Sequence, residues 1–273
     1  MASIAKMFEL PKLDGEYVGI EVELERVTRP HTSDCNFWSV TGDDSLRDNG
    51  VEFLSNRPLD YSNMKQAMSE LGGIFERYPE SRASCRTGLH VHINVSDLHH
   101  DQVKAMLMLS VLVEPGLIWH CGEDRAANIY SLASSRGDHI LNQFQELITA
   151  DSNGRFARAV AGAEGYKYSA INVGSIMGKG TIEYRMHRGT KSVKDVEDWT
   201  YILIGLRRLA VQLQSVERVM DSLDYVPEFM ADYGLSPSCI TTQSRRRGKL
   251  LMAPTNRRHK YREEPAPEEG HED

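Results

Sequence analysis

The sequence predicts a mixed α+β fold in which strands with one apolar and one ionisable face are interleaved with amphipathic helices. Three observations carry that expectation. Segments near residues 17–25, 50–55, 88–95, 168–173 and 181–187 alternate with period two. Apolar residues recur at helical spacing after residues 62, 101, 137 and 193. The polar positions of the strands hold Glu, His and Arg rather than the Thr, Ser, Lys and Gln of an ordinary solvated face.

The first strand is the most informative. In Tyr17-Val18-Gly19-Ile20-Glu21-Val22-Glu23-Leu24-Glu25, alternation puts Val18, Ile20, Val22 and Leu24 on one side and three carboxylates on the other. Same-face neighbours in a strand are roughly 7 Å apart, so Glu21, Glu23 and Glu25 repel one another unless water or a cation separates them. Glu25, at the strand end, reads as solvent-facing. Residues 28–47 read as a polar loop. The short strand Gly50-Val51-Glu52-Phe53-Leu54-Ser55 then adds Glu52, facing away from Val51 and Phe53. Met64, Met68, Leu71, Phe75 and Tyr78 follow at helical spacing after Ser62, the expected N-cap, and describe a helix that covers one side of the sheet.

In the strand Gly88 to Val95, Leu89, Val91, Ile93 and Val95 alternate with His90, His92 and Asn94, so two histidines share a face. A long apolar helix is expected from about Asp101 to Val113, then a polar connection with Arg125, Asn128 and Tyr130, then a helix near Gly137 to Ala150. Tyr168 to Val173, carrying Asn172, and Thr181 to His187 form a closing hairpin, with Glu183, Arg185 and His187 opposite Ile182, Tyr184 and Met186. The stretch Gly174 to Thr181 is close to a phosphate-binding loop. It has three residues where four are required, and glycine where serine or threonine should follow lysine, so it reads as a flexible turn. From Val193 to about Met220 the apolar positions describe a long helix packed on the sheet.

Composition is that of an ordinary globular chain: 273 residues, 40% hydrophobic and 26% charged. No run of 18 or more apolar residues occurs, Ala105 to Trp119 being interrupted by Ser110, Glu114 and Pro115, and no signal-peptide pattern opens the chain. No membrane partner and a cytoplasmic location are the expectations. Cys35, Cys85, Cys121 and Cys239 lack metal or redox spacing and read as reduced thiols. A formal net charge of −7 argues against nucleic acid as a general partner. Residues 1–240 read as a single domain. Residues 241–273, basic and then acidic, with Pro265 and Pro267, read as a flexible tail.

Oxygen and imidazole groups repeated across neighbouring strands suit hard divalent cations, Mg²⁺ or Mn²⁺, better than zinc, which takes fewer and softer ligands. The series Gly19-Ile20-Glu21-Val22-Glu23, Asp44-Ser45-Leu46 with Gly50-Val51-Glu52-Phe53, Gly88-Leu89-His90-Val91-His92, Tyr168 to Asn172, and Thr181-Ile182-Glu183-Tyr184-Arg185 with Gly189-Thr190 resembles the amidoligase family. The correspondence runs in order from about residue 17 to 210.

The resemblance implies a curved, mainly antiparallel sheet backed by helices, as in glutamine synthetase and glutamate–cysteine ligase, and a phage or bacterial origin. It implies an ATP-dependent carboxylate–amine ligase that activates a small-molecule or peptide carboxylate as an acyl phosphate, which an amine attacks. Glu21, Glu23, Glu52 and Glu183 would be metal ligands. His90 and His92 would be a metal ligand and a nucleotide contact, in an order left open. Arg185 would meet phosphate charge, Asn172 would position the nucleotide, and Arg125, in a stretch similar to Arg-x-x-Asn-x-Tyr, would bind a substrate carboxylate. Glu21, Glu183 and Arg185 would act in catalysis. Two other classes compete: a metal-dependent hydrolase using the same Glu/His face, and a non-catalytic assembly or binding protein.

Overall fold

A computed structural model describes residues 2–122, 125, 131–134, 137–163 and 168–253. Its frame is a six-stranded, open, antiparallel sheet of order β2-β3-β1-β4-β6-β5. The strands are β1 (Val18–Leu24), β2 (Trp38–Gly42), β3 (Val51–Ser55), β4 (Gly88–Asn94), β5 (Ile171–Asn172) and β6 (Thr181–Arg188). The helices are α1 (Ile4–Phe8), α2 (Tyr61–Arg77), α3 (His100–Cys121), α4 (Asp138–Ile148), α5 (Asn153–Ala161), α6 (Ser175–Lys179), α7 (Val193–Leu213), α8 (Val216–Asp221), α9 (Tyr225–Ala231) and α10 (Thr242–Met252). The mixed α+β expectation is met.

The apolar alternation does what its period requires. Val18, Ile20, Val22 and Leu24 join Val51, Phe53, Leu89, Val91, Ile93, Ile182 and Tyr184 in one core with α2, α3 and α7. Register on the opposite face is set by the same pairing. Glu23 faces Glu52 and Glu21 faces Leu54 across β1 and β3, Glu21 faces His90 across β1 and β4, and His92 faces Glu183 across β4 and β6.

Four local expectations need correction. Residues 38–42, inside the expected loop, form edge strand β2, because Trp38 reaches the core with its indole N–H on the Ala67 carbonyl at 2.7 Å. The cap of α2 is Asp60, not Ser62; the Asp60 carboxylate accepts from the Ser62 and Asn63 amides. Residues 175–179, expected as a flexible turn, form the short helix α6, closed by Gly180 at φ +66°. Helix α3 continues through Pro115 to Cys121, because burial along its length outweighs the hydrogen bond proline removes. By length and composition it could cross a membrane, yet 72% of its apolar window is buried inside the protein.

β6 also departs from simple alternation. Leu89 pairs with His187 and Val91 with Tyr184, so β6 spends one extra residue between them. The bulge turns His187 to the helix face, where its ring lies 5.5 Å from Trp199 and 6.1 Å from His120. Burial there pushes the His187 imidazole down to about 4. His187 is therefore buried and leaves the polar face on which alternation would put it beside Glu183 and Arg185.

The expected tail starts too early at residue 241. Residues 242–252 are α10, which packs on α3 and α4; residues 254–273 lie outside the described residues. Arg247 of α10 reaches Glu114 of α3 at 2.8 Å, and the Ser134 amide and hydroxyl donate to the same carboxylate at 2.7 and 2.8 Å. Glu114 is buried, so removing its cation leaves a desolvated charge. Arg247→Ala is expected to cost about 3–5 kcal/mol in urea unfolding. A loss below about 1 kcal/mol would show that the pair contributes no more than a surface contact.

Candidate metal and nucleotide site

The polar face gathers two groups of candidate ligand atoms, those of each group lying within 4.8 Å of one another: Glu21, His90 and Glu183, and beside them Glu23, Asp43 and Glu52. Their closeness follows from strand register, since Glu21–His90 and Glu23–Glu52 are directly opposed pairs. His90 joins the groups. Its Nδ1 is 3.3 Å from Glu21 and its Nε2 is 3.5 Å from Glu23. Its ring lies over Gly88, where an added Cβ would stand 2.6 Å from His90 Nε2, and the bare Gly88 amide donates to Glu23 at 2.6 Å.

The first group is rich in cationic and donor partners. His92 Nε2 is 3.1 Å from Glu21, and its Nδ1 is 3.0 Å from the Thr181 hydroxyl. Burial would raise the Glu21 carboxyl, but hydrogen bonds from His90 and His92 hold it far below the usual carboxylate range. Glu183 is likewise held low against its burial, chiefly by Arg185. Arg185 Nη1 donates to Glu183 Oε1 at 2.5 Å, and Asn172 Nδ2 donates to Oε2 at 2.7 Å. Asn172 thus orients Glu183.

The second group is starved of such partners. Burial raises Glu23, partly offset by His90 and the Gly88 amide. Glu52 is pushed up to about 7, first by burial and then by the charges of Glu21, Glu23 and Asp43. Three carboxylates with an excess of negative charge are the donor set that a hard divalent cation satisfies. The two groups therefore fit Mg²⁺ or Mn²⁺; both His90, at 3.3 and 3.8 Å, and His92, at 3.1 and 3.9 Å, lie within reach of Glu21 and Glu183.

A cleft of about 350 Å³ opens beside the first group. Glu21, His92, Asn94 and Thr181 form one side, Tyr17, Leu54 and Pro58 are apolar walls, and Arg57 and Lys179 supply positive charge. Lys179 Nζ is 3.6 Å from Glu21. A larger hollow of about 440 Å³, against α3, α4 and α8, shares none of these residues, and its Lys104 is already bound to Asp101 and the Ala150 carbonyl.

Sequence reasoning missed Asp43 and Lys179. Asp43 follows β2, whose Thr41 lies opposite Glu52. Alternation through Thr41 would have put Asp43 on the carboxylate face had the strand been recognised. Lys179 lay in the rejected phosphate-loop match, and only the packing of α6 against β6 brings it to the cleft. Glu25, expected in solvent, is instead buried. Arg125, expected at a substrate carboxylate, is buried as well; its Nε and Nη2 donate to the Met186 and Arg185 carbonyls at 3.0 and 3.4 Å, fastening the β6 bulge. Asn128 and Tyr130 of the same stretch lie outside the described residues.

An antiparallel sheet thus carries an oxygen-rich, imidazole-flanked wall on one face and its helical core on the other. A sequence model described as "Putative amidoligase enzyme" matches residues 15–205, and the chain belongs to that family, a family of ligases. No curated protein matches the chain.

Glu52 gives a test of the site's electrostatics without added metal. A carboxyl raised in the fold favours folding below its unfolded value near 4.5, and that contribution is lost as pH rises through about 7. In EDTA, Glu52→Gln should therefore stabilise the protein at pH 8 by about 1–2 kcal/mol, discounted for partial exposure, and have little effect at pH 4. Equal melting temperatures of the two proteins at pH 8 would mean that Glu52 carries no such strain.

Proposed function

We propose that this protein is an ATP-dependent carboxylate–amine ligase of glutamine synthetase-like design. Its substrates are ATP, a small-molecule or peptide carboxylate and an amine, joined through an acyl phosphate. The observation that carries the reading is the pair of adjoining ligand groups, one bordered by a cleft with Lys179, Arg57 and His92, the other made of carboxylates alone. Ligation of a carboxylate needs a leaving group placed on a poor electrophile, and the triphosphate charge must be neutralised while that happens.

Glu21, His90 and Glu183 would hold one Mg²⁺ or Mn²⁺, and Glu23, Asp43 and Glu52 the other. Bound there, the cations supply charge neutralisation and Lewis acidity. Lys179 and His92 face the cleft and meet the phosphates as point charge and hydrogen-bonding partner. Tyr17 and Pro58 offer flat apolar surface to a base. Arg185, already beside Glu183, presents its planar fork to the phosphoryl group in transfer. Asn172 keeps the Glu183 carboxylate aimed by holding Oε2.

Two substitutions test this. Glu21→Gln should abolish Mg²⁺-dependent ATP binding in calorimetry while the circular dichroism spectrum stays that of wild type; retained binding removes Glu21 from the site. Arg185→Lys should lower ADP release, assayed with pooled amino acids and polyamines, by about 100-fold or more, because a point charge does not reproduce a forked contact. Turnover within about threefold of wild type would refute the phosphoryl role of Arg185.

A further inference from the structure

Glu25 continues the Glu21 and Glu23 series, yet it belongs to neither ligand group, and it is only 1% exposed. A buried carboxylate is costly unless partners hold it. Its described partners come from two loops. The Arg47 amide donates to Glu25 Oε1 at 3.3 Å, and Arg82 Nε stands 3.7 Å from Oε2.

The loop that contains Arg47 is the one that presents Asp43 to Glu23 and Glu52. It is a closed turn: the Asp43 amide donates to Gly50 at 3.2 Å, the Leu46 amide to the Asp43 carbonyl at 3.1 Å, and the Ser45 amide to the Asp43 carboxylate at 2.8 Å. Asp48 and Asn49 are left-handed, at φ 51° and 57°, conformations that persist where the surroundings enforce them. The enforcement comes from the end of β1. The Arg26 amide donates to Asp48 at 2.9 Å and the Val27 amide to Asn49 at 3.4 Å. Arg82 clamps the same corner: its backbone exchanges hydrogen bonds with Glu25 at 2.9 and 3.0 Å, and its Nη2 donates to Asp48 at 3.2 Å.

We infer that Glu25 is a positioning residue for the second cation site, holding the 43–50 turn by the Arg47 amide and so setting where Asp43 stands. It touches no cation itself. The inference rests on the two-cation reading above. Groups that orient metal ligands are worth about 10–100-fold in affinity, and a carboxylate that acts through one ligand must lose its effect when that ligand is absent.

The test counts Mn²⁺ bound to the full chain from the loss of the free-ion paramagnetic resonance signal. Wild type is expected to bind two ions. Glu25→Met, of similar volume but without an acceptor, should weaken the second ion at least about tenfold and leave the first unchanged. Glu25→Gln, which still reaches the Arg47 amide, should bind both within about threefold of wild type. Glu25→Asp, which keeps the charge but is one methylene short, should behave like the methionine variant and serves in its place if that variant does not fold. Adding Glu25→Met or Glu25→Asp to Asp43→Asn should cause no further loss, whereas a general structural defect would add to it. Wild-type affinity for both ions in the methionine and aspartate variants, or additivity with Asp43→Asn, would overturn the role of Glu25 alone. A wild-type protein that binds no Mn²⁺ would overturn the two-cation reading and this inference with it.

Discussion

Antiparallel register sets Glu23 directly against Glu52 and Glu21 against His90, and the rest of the polar face is arranged around the charge this concentrates. Like charges facing each other across a sheet are destabilising by up to about 1 kcal/mol even in solvent, and more when buried. The protein meets that repulsion unevenly. Glu21 and Glu183 receive two histidines, an arginine and an asparagine, and both are held in the ionised form. Glu23, Asp43 and Glu52 receive little besides two backbone amides, and Glu52 is driven toward protonation near neutral pH. Such an imbalance makes the second group the place where added positive charge would be most stabilising.

The same sheet tolerates this polar face because its other face is secured. α2, α3 and α7 cover the apolar side, and α3 is buried on nearly every side, so its buried carboxylate, Glu114, must be matched by Arg247 and Ser134. That match draws α10 into the fold, beyond the segment shared with the family. The β6 bulge is the hinge between the two faces. It keeps Glu183 and Arg185 on the site side while sending His187 into the aromatic stack with Trp199, and Arg125 holds the bulge by its carbonyls. A residue read as part of the site therefore supports its geometry from behind.

Much of the architecture was legible from period and residue type. Strands β1, β3, β4 and β6, the faces of Glu21, Glu23, Glu52, His90, His92 and Glu183, and the helices α2, α3, α4 and α7 follow from alternation and helical spacing, because each reports a local geometry that the chain repeats; the helix expected to run to about Met220 instead ends at Leu213, where Gln214 turns left-handed and Ser215 caps α8. β2 escaped because its polar positions resemble a loop and its membership depends on Trp38 reaching a core built from distant segments. α6 and α10 escaped because glycines and arginines mask a helix that only its packing stabilises.

The sequence by itself determined which residue types share a strand face, hence that carboxylates, imidazoles and an arginine would gather on one side of a sheet. Tertiary structure decided which of them meet. Register divides the carboxylates into two groups with His90 between them, a loop brings in Asp43, a short helix brings in Lys179, and a single bulged residue removes His187. Alternation is a property of the backbone within a strand, whereas partnership across strands depends on offsets, bulges and loop closures that no periodicity encodes.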